Sequence, residues 1–159
     1  MAEELSRSAK KFREALNALG GAFGIVELPD STRTAADAAK AVGCTVDQIA
    51  KSIVFRTVGE KKPVMVIASG AHRIDEKKVA ALVGDEIEKA DPDYVREKTG
   101  FSIGGVPPVG HSVPIPIIID EELLRHAEIW AAAGNPHSVF KISADDLVRI
   151  TNGDVRSIA

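Results

Sequence analysis

The sequence predicts an α+β fold, a mixed β-sheet with helices packed around it, in a single domain over residues 1–159. The chain has 159 residues, of which 45% are hydrophobic and 27% charged, and these values are typical of one globular domain. Strand-like runs and amphipathic helical segments alternate irregularly rather than in a strict βαβ rhythm, which favours a mixed sheet. No apolar run approaches the roughly 20 residues of a membrane-spanning helix, so no membrane partner is expected.

The first part of the chain predicts a helix followed by a short strand. Ser6 to Leu19 place Phe12 and Leu16 on one face of an amphipathic helix. Phe23 to Leu28 form a β-branched and apolar run that Pro29 ends. The amphipathic face is expected to pack on the sheet, because its apolar side chains need a partner surface.

Two short helices are predicted next. Thr34 has the hydroxyl side chain of a helix N-cap, and Gly43 supplies the usual C-terminal stop for a helix over Ala35 to Val42. A second short helix is predicted from Thr45 to Ala50, because acidic and polar residues occupy its first turn.

The middle of the chain contains the clearest strand signal, a β-hairpin. Its strands are Ser52 to Val58 and Val64 to Ser69, and the segment between them has the glycine and proline of a turn. Three further elements are then predicted, a helix over 75–83, a strand over Glu86–Lys89 and a helix over Asp91–Thr99.

The C-terminal part combines strands with one helix. Pro114 to Ile119 form an apolar run typical of a buried strand. Asp120 follows this strand and is interpreted as a helix cap rather than a catalytic acid. The remaining elements are strands over Glu128–Ala132 and Ser138–Ile142, a helix over Ala144–Ile150 and an edge strand over Asp154–Ile158.

Composition excludes several classes of function. The formal net charge of −3 disfavours a protein that coats nucleic acid and a DNA-binding protein. Cys44 is the only cysteine, so no internal disulfide forms, and a cytoplasmic location is expected. None of the four histidines is spaced from another histidine or a cysteine as the ligands of a metal site are. The sequence also lacks the glycine-rich phosphate-binding motif of P-loop nucleoside triphosphatases. We therefore expect neither a metal nor another cofactor.

One loop has a composition that suits chemistry at an ester. Gly104 to His111 read GGVPPVGH, with three glycines and two prolines in eight residues. Glycines let backbone N–H groups approach a ligand closely, and prolines stiffen the frame around them. Such donors can stabilise the oxyanion that forms when an ester carbonyl is attacked. The alternative is a plain connector between a helix and a strand.

Three further side chains are candidates for binding. Lys51 stands where a short helix meets the first hairpin strand, and it is either a partner for a phosphate or ligand oxygen or a solvated lysine at a strand edge. His111 either contacts a ligand or fixes its own loop through the backbone. His137 lies in a second predicted turn, over residues 134–137. It either faces the same cleft as the glycine- and proline-rich loop or is simply exposed.

Four segments occur in a specific order along the chain. They are Thr32-Arg33-Thr34-Ala35, QIAKSIVF around Lys51, GGVPPVGH, and AAGNPHSVFKISADDL near the C-terminus. Together they resemble the YbaK/ProX family of aminoacyl-tRNA deacylases, a domain that also occurs as an insertion in bacterial prolyl-tRNA synthetases. The resemblance implies a twisted, barrel-like sheet, and hydrolysis, without a metal, of the ester between an amino acid and the terminal adenosine of a tRNA.

The resemblance also implies which residues act. The family's essential lysine matches Lys51 and holds the RNA end. Its G-x-x-x-P loop matches Gly104 to Pro108, so that the amides of Gly104, Gly105 and Val106 hold the aminoacyl end while a water aided by the substrate attacks. Further substrate contacts are expected from Pro107, Pro108, His111, Ser52, Gly134 and His137, of which His111 and His137 are the two candidates for the family's pocket histidine.

The resulting hypothesis is a trans-editing deacylase of mischarged tRNA, with tRNA(Pro) carrying alanine, 2-aminobutyrate, cysteine or serine as the expected substrate. Editing is needed because one methylene gives a synthetase pocket only about 1–3 kcal/mol of discrimination. Such a domain is expected to work beside prolyl-tRNA synthetase or an elongation factor. The alternatives are a non-catalytic module of the same fold that binds aminoacyl-tRNA or a synthetase, and a hydrolase of small esters unrelated to RNA.

Overall fold

A computed structural model describes residues 6–20, 24–29 and 34–159. The helices of these ranges are α1 Arg7–Ala18, α2 Ala35–Val42, α3 Glu76–Val83, α4 Pro92–Thr99 and α5 Ala144–Thr151. The strands are β1 Ile25–Glu27, β2 Ile49–Thr57, β3 Pro63–Ser69, β4 Ile87–Lys89, β5 Ile117–Asp120, β6 Glu128–Ala132, β7 Ser138–Ser143 and β8 Asp154–Arg156. Two single-turn 3₁₀ helices are Val46–Gln48 and Glu121–Arg125.

The eight strands form one mixed sheet. Their order is β1-β7-β6-β2-β3-β5-β8, and β4 also pairs with β2. The β2–β3 hairpin is antiparallel and lies at the centre, whereas β6 runs parallel to β2, and β5 runs parallel to β3. The mixed sheet with surrounding helices confirms the predicted fold class.

The main core lies between the sheet and the helices α1, α4 and α5. Phe12 and Leu16 of α1 and Leu147 of α5 are fully buried there, together with Met65 and Phe140 from the sheet. Smaller apolar clusters lie under α3 and α2. Burial of these large side chains stabilises the fold by roughly 1.5–3 kcal/mol each before conformational entropy is counted. No helix in the described ranges has the length and apolarity that a bilayer crossing requires.

The predicted helix caps are confirmed. Thr34 Oγ1 accepts a hydrogen bond from the backbone N–H of Asp37 at 3.1 Å. Gly43 ends α2 in the left-handed conformation, with φ of 77°. Asp120 Oδ1 accepts from the N–H of Glu122 at 3.0 Å and so caps the second 3₁₀ helix.

The second short helix, predicted over Thr45–Ala50, is present but shorter than predicted. Only Val46–Gln48 form a helical turn, of 3₁₀ type, and the next two residues already belong to β2. Ile49 pairs with Trp130, and Ala50 pairs with Ala131 of the parallel strand β6. Pairing with a strand distant in the sequence therefore overrode the local helical signal.

Strand boundaries also differ from the prediction. β5 begins at Ile117 rather than Pro114, because Pro114 and Pro116 have no N–H for the sheet ladder. Pro116 contributes only its carbonyl, which accepts from Met65 N–H at 2.9 Å. The predicted start of the first strand at Phe23, and Thr32 and Arg33 of the family-like segment, lie outside the described residues.

Candidate active site

The candidate site lies at a gap along one edge of β2. Strand β3 pairs along nearly all of the other edge. On this edge, β6 pairs with the first two residues of β2 and β4 pairs with the last three. Between them, Lys51 to Val54 have no strand partner on this edge in the described part of the chain, although the carbonyl of Val54 accepts a long hydrogen bond from Ala90 N–H at 3.4 Å. The gap leaves the edge of a central strand open to a ligand.

A cavity of about 800 Å³ opens at this gap. Successive side chains of a strand point to opposite faces of the sheet, so Lys51 and Ser52 extend to opposite sides of β2. The lining therefore divides into two groups, which we call the cationic half and the apolar half. The cationic half comprises Lys51, His72, Arg73, Glu76 and Lys89, and the apolar half comprises Ala50, Ser52, Val54, Val95, Val106 and Ala131.

The cationic half contains three positive side chains that have no ion partner among the residues that the structure describes. Lys89 of β4 pairs with Phe55, whose side chain lies on the same face of β2 as that of Lys51. Arg73 belongs to the connection from β3 to α3. Among the described residues, Lys51, Arg73 and Lys89 make neither a salt bridge nor a side-chain hydrogen bond, and all three are exposed. Their charges are available to an anionic ligand.

The apolar half contains small side chains and one unsatisfied hydroxyl. Ala50 and Ala131 face each other across β2 and β6, and both are buried. Ser52 Oγ is buried and has no hydrogen-bond partner in the described part of the chain. A buried polar group without a partner costs about 1–3 kcal/mol, so its place in a cavity lining favours a ligand that bonds to it.

The glycine- and proline-rich loop reaches the cavity through a tight turn. The N–H of Gly105 donates to the carbonyl of Ser102 at 3.2 Å, and Gly104 at the third turn position has φ of 92°. This φ favours glycine. Gly104 and Val106 line the cavity, and their N–H groups have no acceptor among the described residues. Two of the three predicted amides are thus free, whereas that of Gly105 is used inside the turn.

Gly105 instead determines how the loop packs. Its carbonyl accepts from the N–H of Gly134 at 3.1 Å. A Cβ at Gly105 would overlap the backbone of Asn135, whose nitrogen lies 2.6 Å away. The turn that contains Gly134 therefore supports the loop from behind. Gly134 itself is buried outside the cavity lining, and its substrate contact stays a prediction.

The two candidate histidines lie outside this cavity. His111 Nε2 donates to the carbonyl of Pro107 at 2.8 Å, which supports its alternative role of fixing the loop. Pro107 and Pro108 are buried in the same loop. His137 is exposed, its Nδ1 lies 3.3 Å from the carbonyl of Leu28, and it does not line the cavity. Substrate contacts of these four residues stay predictions.

The partly buried position of His111 makes the stability of the protein depend on pH. Burial lowers the pKa of His111 below its ordinary value of 6.5, and the hydrogen bond to Pro107 offsets this only in part. As the pH falls below 6.5, the unfolded chain therefore binds the proton before the native state does, and the free energy of unfolding decreases.

We expect His111→Gln to remove this part of the pH dependence. Glutamine can still donate an N–H to the Pro107 carbonyl but does not titrate. Urea unfolding of wild type and variant at about pH 7.5 and about pH 5.5 measures the difference, because this range brackets the ordinary imidazole pKa. If wild type and His111→Gln lost the same free energy of unfolding between these two pH values, His111 would not be the source of the pH dependence.

Sequence reasoning missed His72, and it interpreted Asp120 only as a helix cap. His72 Nδ1 lies 2.9 Å from Asp120 Oδ2, and His72 also lines the cavity. The signal in the sequence was that both residues stand at strand ends. They meet because β3 and β5 are parallel neighbours, so that the C-terminal ends of both strands lie at one edge of the sheet. His72 follows the end of β3 and Asp120 ends β5. The parallel pairing was not predictable from either segment alone.

Other chemistry receives no support from the described residues. No group of three or more His, Cys, Asp and Glu side chains among them is arranged to hold a metal ion. Burial, and then the carboxylate of Asp47, raise the pKa of the Cys44 thiol. A raised pKa disfavours the thiolate that a cysteine nucleophile needs.

The chain is similar to known proteins over most of its length. The model of the family described as "Aminoacyl-tRNA editing domain" matches residues 29–150. A crystal structure described as a candidate trans-editing enzyme for prolyl tRNA synthetase is 46% identical, covers 98% of each chain and has a TM-score of 0.93. The uncharacterised protein YwhH of Bacillus subtilis strain 168 is 31% identical over 77% of this chain and 78% of its own. EbsC of Enterococcus faecalis, described as a candidate Cys-tRNA(Pro)/Cys-tRNA(Cys) deacylase, is 28% identical over 79% of this chain and 76% of its own.

Proposed function

The chain belongs to the aminoacyl-tRNA editing domain family, and on this premise we propose that it hydrolyses the ester of a mischarged tRNA. The observation that carries the proposal is the cavity at the β2 gap, with cations on one side and small apolar side chains on the other. An aminoacyl-tRNA end has the same division, because a phosphodiester and a ribose are joined through an ester to an amino acid.

The cationic half suits the RNA end. Lys51, Arg73 and Lys89 line the cavity without ion partners in the described part of the chain. Lysine and arginine bind phosphate through charge-assisted hydrogen bonds, which are roughly twice as strong as neutral ones. Three cations on one side of the cavity, in a chain with net charge −3, favour local binding of the terminal nucleotides over binding along a whole RNA.

The apolar half suits a small amino acid. Ala50, Val54, Val106 and Ala131 give this half short side chains, and Ser52 adds the hydroxyl without a partner. Alanine, 2-aminobutyrate, cysteine and serine have side chains of the matching size. The Ser52 hydroxyl can bond to the ester or to the amino group of the bound residue.

The loop supplies the chemistry of ester hydrolysis. A water attacks the carbonyl carbon, and the carbonyl oxygen becomes an oxyanion. The N–H groups of Gly104 and Val106, which line the cavity without acceptors among the described residues, are the donors that we assign to this oxyanion. His111 and Gly105 are positioning residues, because they hold the loop through Pro107 and Asn135.

The proposed substrate is tRNA(Pro) that carries a small residue, and the proposed setting is the cytoplasm, beside prolyl-tRNA synthetase or an elongation factor. The description of the 46% identical structure, which names prolyl tRNA synthetase, supports this choice. We further propose that residues 1–159 act as one domain and in trans.

The test is deacylation of tRNA(Pro) charged in turn with alanine, 2-aminobutyrate, cysteine, serine and proline. Rapid release of a small residue with proline retained is the expected result. Binding of charged tRNA without release would favour the non-catalytic module instead. Equal release from charged tRNA and from a free amino acid ester would favour a general esterase.

We expect Ala131→Val to change the preference for substrate size. The added methyl groups extend into the apolar half beside Ala50. One methylene is worth about 1–3 kcal/mol, so release of 2-aminobutyrate should fall about 10-fold relative to alanine. The matched control is Ala133→Val, at a buried alanine outside the lining. An unchanged ratio of the two rates in Ala131→Val would place the amino acid elsewhere.

A further inference from the structure

A histidine and a buried carboxylate form a pair beside the cationic half. His72 Nδ1 lies 2.9 Å from Asp120 Oδ2, and Asp120 is only 1% exposed. Because a carboxylate only accepts, Nδ1 carries the hydrogen and Nε2 is the free ring nitrogen. Nε2 has no hydrogen-bond partner among the described residues, and His72 lines the cavity.

Asp120 is held in place from three directions. Its Oδ2 also accepts from the backbone N–H of Ser69 at 3.0 Å, and its Oδ1 accepts from Glu122 N–H at 3.0 Å. These bonds join the ends of β3 and β5 and the start of the second 3₁₀ helix. A carboxylate that cannot rotate keeps the imidazole in one tautomer and one orientation.

The pair lies on the side of the cavity where the ribose should sit. His72 comes shortly after the C-terminal end of β3. Near that end, Ala68 of β3 is the cross-strand partner of Lys51. The leaving oxygen of the ester belongs to the ribose, so it faces the cationic half if the amino acid occupies the apolar half. Of the side chains that line the cavity, His72 is the only imidazole in the described part of the chain. The other charged side chains of the cavity lining are Lys51, Arg73, Glu76 and Lys89, and Asp120 lies behind the ring of His72.

We propose that His72, positioned by Asp120, transfers the proton between the attacking water and the leaving ribose oxygen. This inference rests on the proposed deacylase function. It adds a proton carrier to the oxyanion donors of the loop, and it gives Asp120 a positioning role in addition to capping. Imidazole is the side-chain group best suited to take up and release a proton near neutral pH.

The proposed step balances without a metal or a co-reactant. As the water oxygen bonds to the ester carbon, its proton passes to Nε2 of His72. The bond from that carbon to the ribose oxygen then breaks, and the same proton passes from Nε2 to the ribose oxygen. The products are the free amino acid and the ribose hydroxyl, and the imidazole is neutral again. The carboxyl proton of the product goes to solvent.

The test compares His72→Gln with His126→Gln on the charged tRNA that the wild type hydrolyses. His126 is a matched control, because its Nε2 lies 3.2 Å from a carboxylate oxygen of Asp47 and it does not line the cavity. General acid–base catalysis contributes about 10²–10⁴-fold, so we expect kcat to fall about 100-fold in His72→Gln with KM changed little. His126→Gln should keep the wild-type kcat.

Two further readouts separate proton transfer from a structural role. Added imidazole should restore part of the kcat of His72→Ala, and the rate of the wild type should show a pH limb that His72→Gln lacks. Asp120→Asn should also lower kcat, because an amide NH2 group in place of Oδ2 donates to Nδ1 and favours the other tautomer. Thermal unfolding of each variant shows whether it is folded.

The outcomes distinguish this inference from the function on which it rests. A wild type that releases no amino acid overturns both. An active wild type with unchanged kcat and pH profile in His72→Gln overturns only the proton-transfer role. A folded His72→Ala that imidazole does not rescue also overturns it.

Discussion

Lys51→Ala is expected to lower kcat/KM for deacylation about 100-fold, since hydrogen bonds to charged groups contribute about 1.5–3 kcal/mol and 1.4 kcal/mol is tenfold. Lys51 lies at the β2 gap, where it lines the cavity and has no ion partner among the described residues. Its ammonium is therefore available to hold the RNA end across the gap from the loop. Removal of this contact leaves the ester free to move relative to Gly104 and Val106, and misplacement of reacting atoms is costly.

The measurement is the rate of release from charged tRNA(Pro), together with the midpoint of thermal unfolding. Stability should stay within about 0.5 kcal/mol, because Lys51 is exposed and makes no stabilising bond in the described part of the chain. The matched control is Lys10→Ala, which removes the same charge from an exposed site on α1 outside the cavity lining. If Lys51→Ala keeps the wild-type rate, the assignment of the cationic half to RNA is wrong.

Gly105→Ala is expected to lose about 3 kcal/mol of stability, the upper end of the usual cost of overpacking. The new Cβ would overlap backbone atoms of Asn135, which cannot rotate away as a flexible side chain can. The loop or the turn at Gly134 has to shift, and the hydrogen bond from Gly134 N–H to Gly105 would lengthen. Because Gly104 and Val106 flank the changed residue, their N–H groups move with it, and activity should fall as well.

Thermal unfolding checks this expectation, with a decrease in Tm of roughly 6–12 °C for a chain of this size. Gly24→Ala is the matched control, because a Cβ at Gly24 meets no atom of the described residues within 4 Å and its φ is not in the left-handed region. A Tm equal to that of Gly24→Ala would mean that the loop does not pack on Asn135 as described. Loss of activity in Gly105→Ala at a temperature where it stays folded would show that loop position, and not only stability, matters.

The free edge of β2 explains why the candidate site is a gap in the sheet. A central strand with a free edge exposes backbone groups that normally pair with a neighbouring strand. Here β6 and β4 divide one edge of β2 between them and leave Lys51 to Val54 uncovered. Because successive side chains of a strand point to opposite faces of the sheet, the consecutive residues Lys51 and Ser52 lie on opposite sides of the cavity. A ligand bound in the gap would therefore meet both faces of the sheet.

Local sequence determined most of the elements and their ends. The hairpin strands, the caps at Thr34 and Asp120, and the helix after Pro92 depend on side-chain type and on neighbours in the sequence. The order of the lysine segment and the glycine- and proline-rich loop also indicated the family, which the match over residues 29–150 confirms. The error at Thr45–Ala50 arose where the decisive partners, Trp130 and Ala131, are about 80 residues away.

Only the tertiary structure decided which of these residues share a site. The parallel pairings of β2 with β6 and of β3 with β5 join segments distant in the chain. These pairings create the gap beside Lys51 and bring His72 to Asp120. His137 lies outside the cavity lining and is exposed, which is one of the two alternatives that its sequence context left open. The physical reason is that side-chain pattern specifies which face of a strand is buried, whereas the neighbour of that strand is selected by the packing of the whole core.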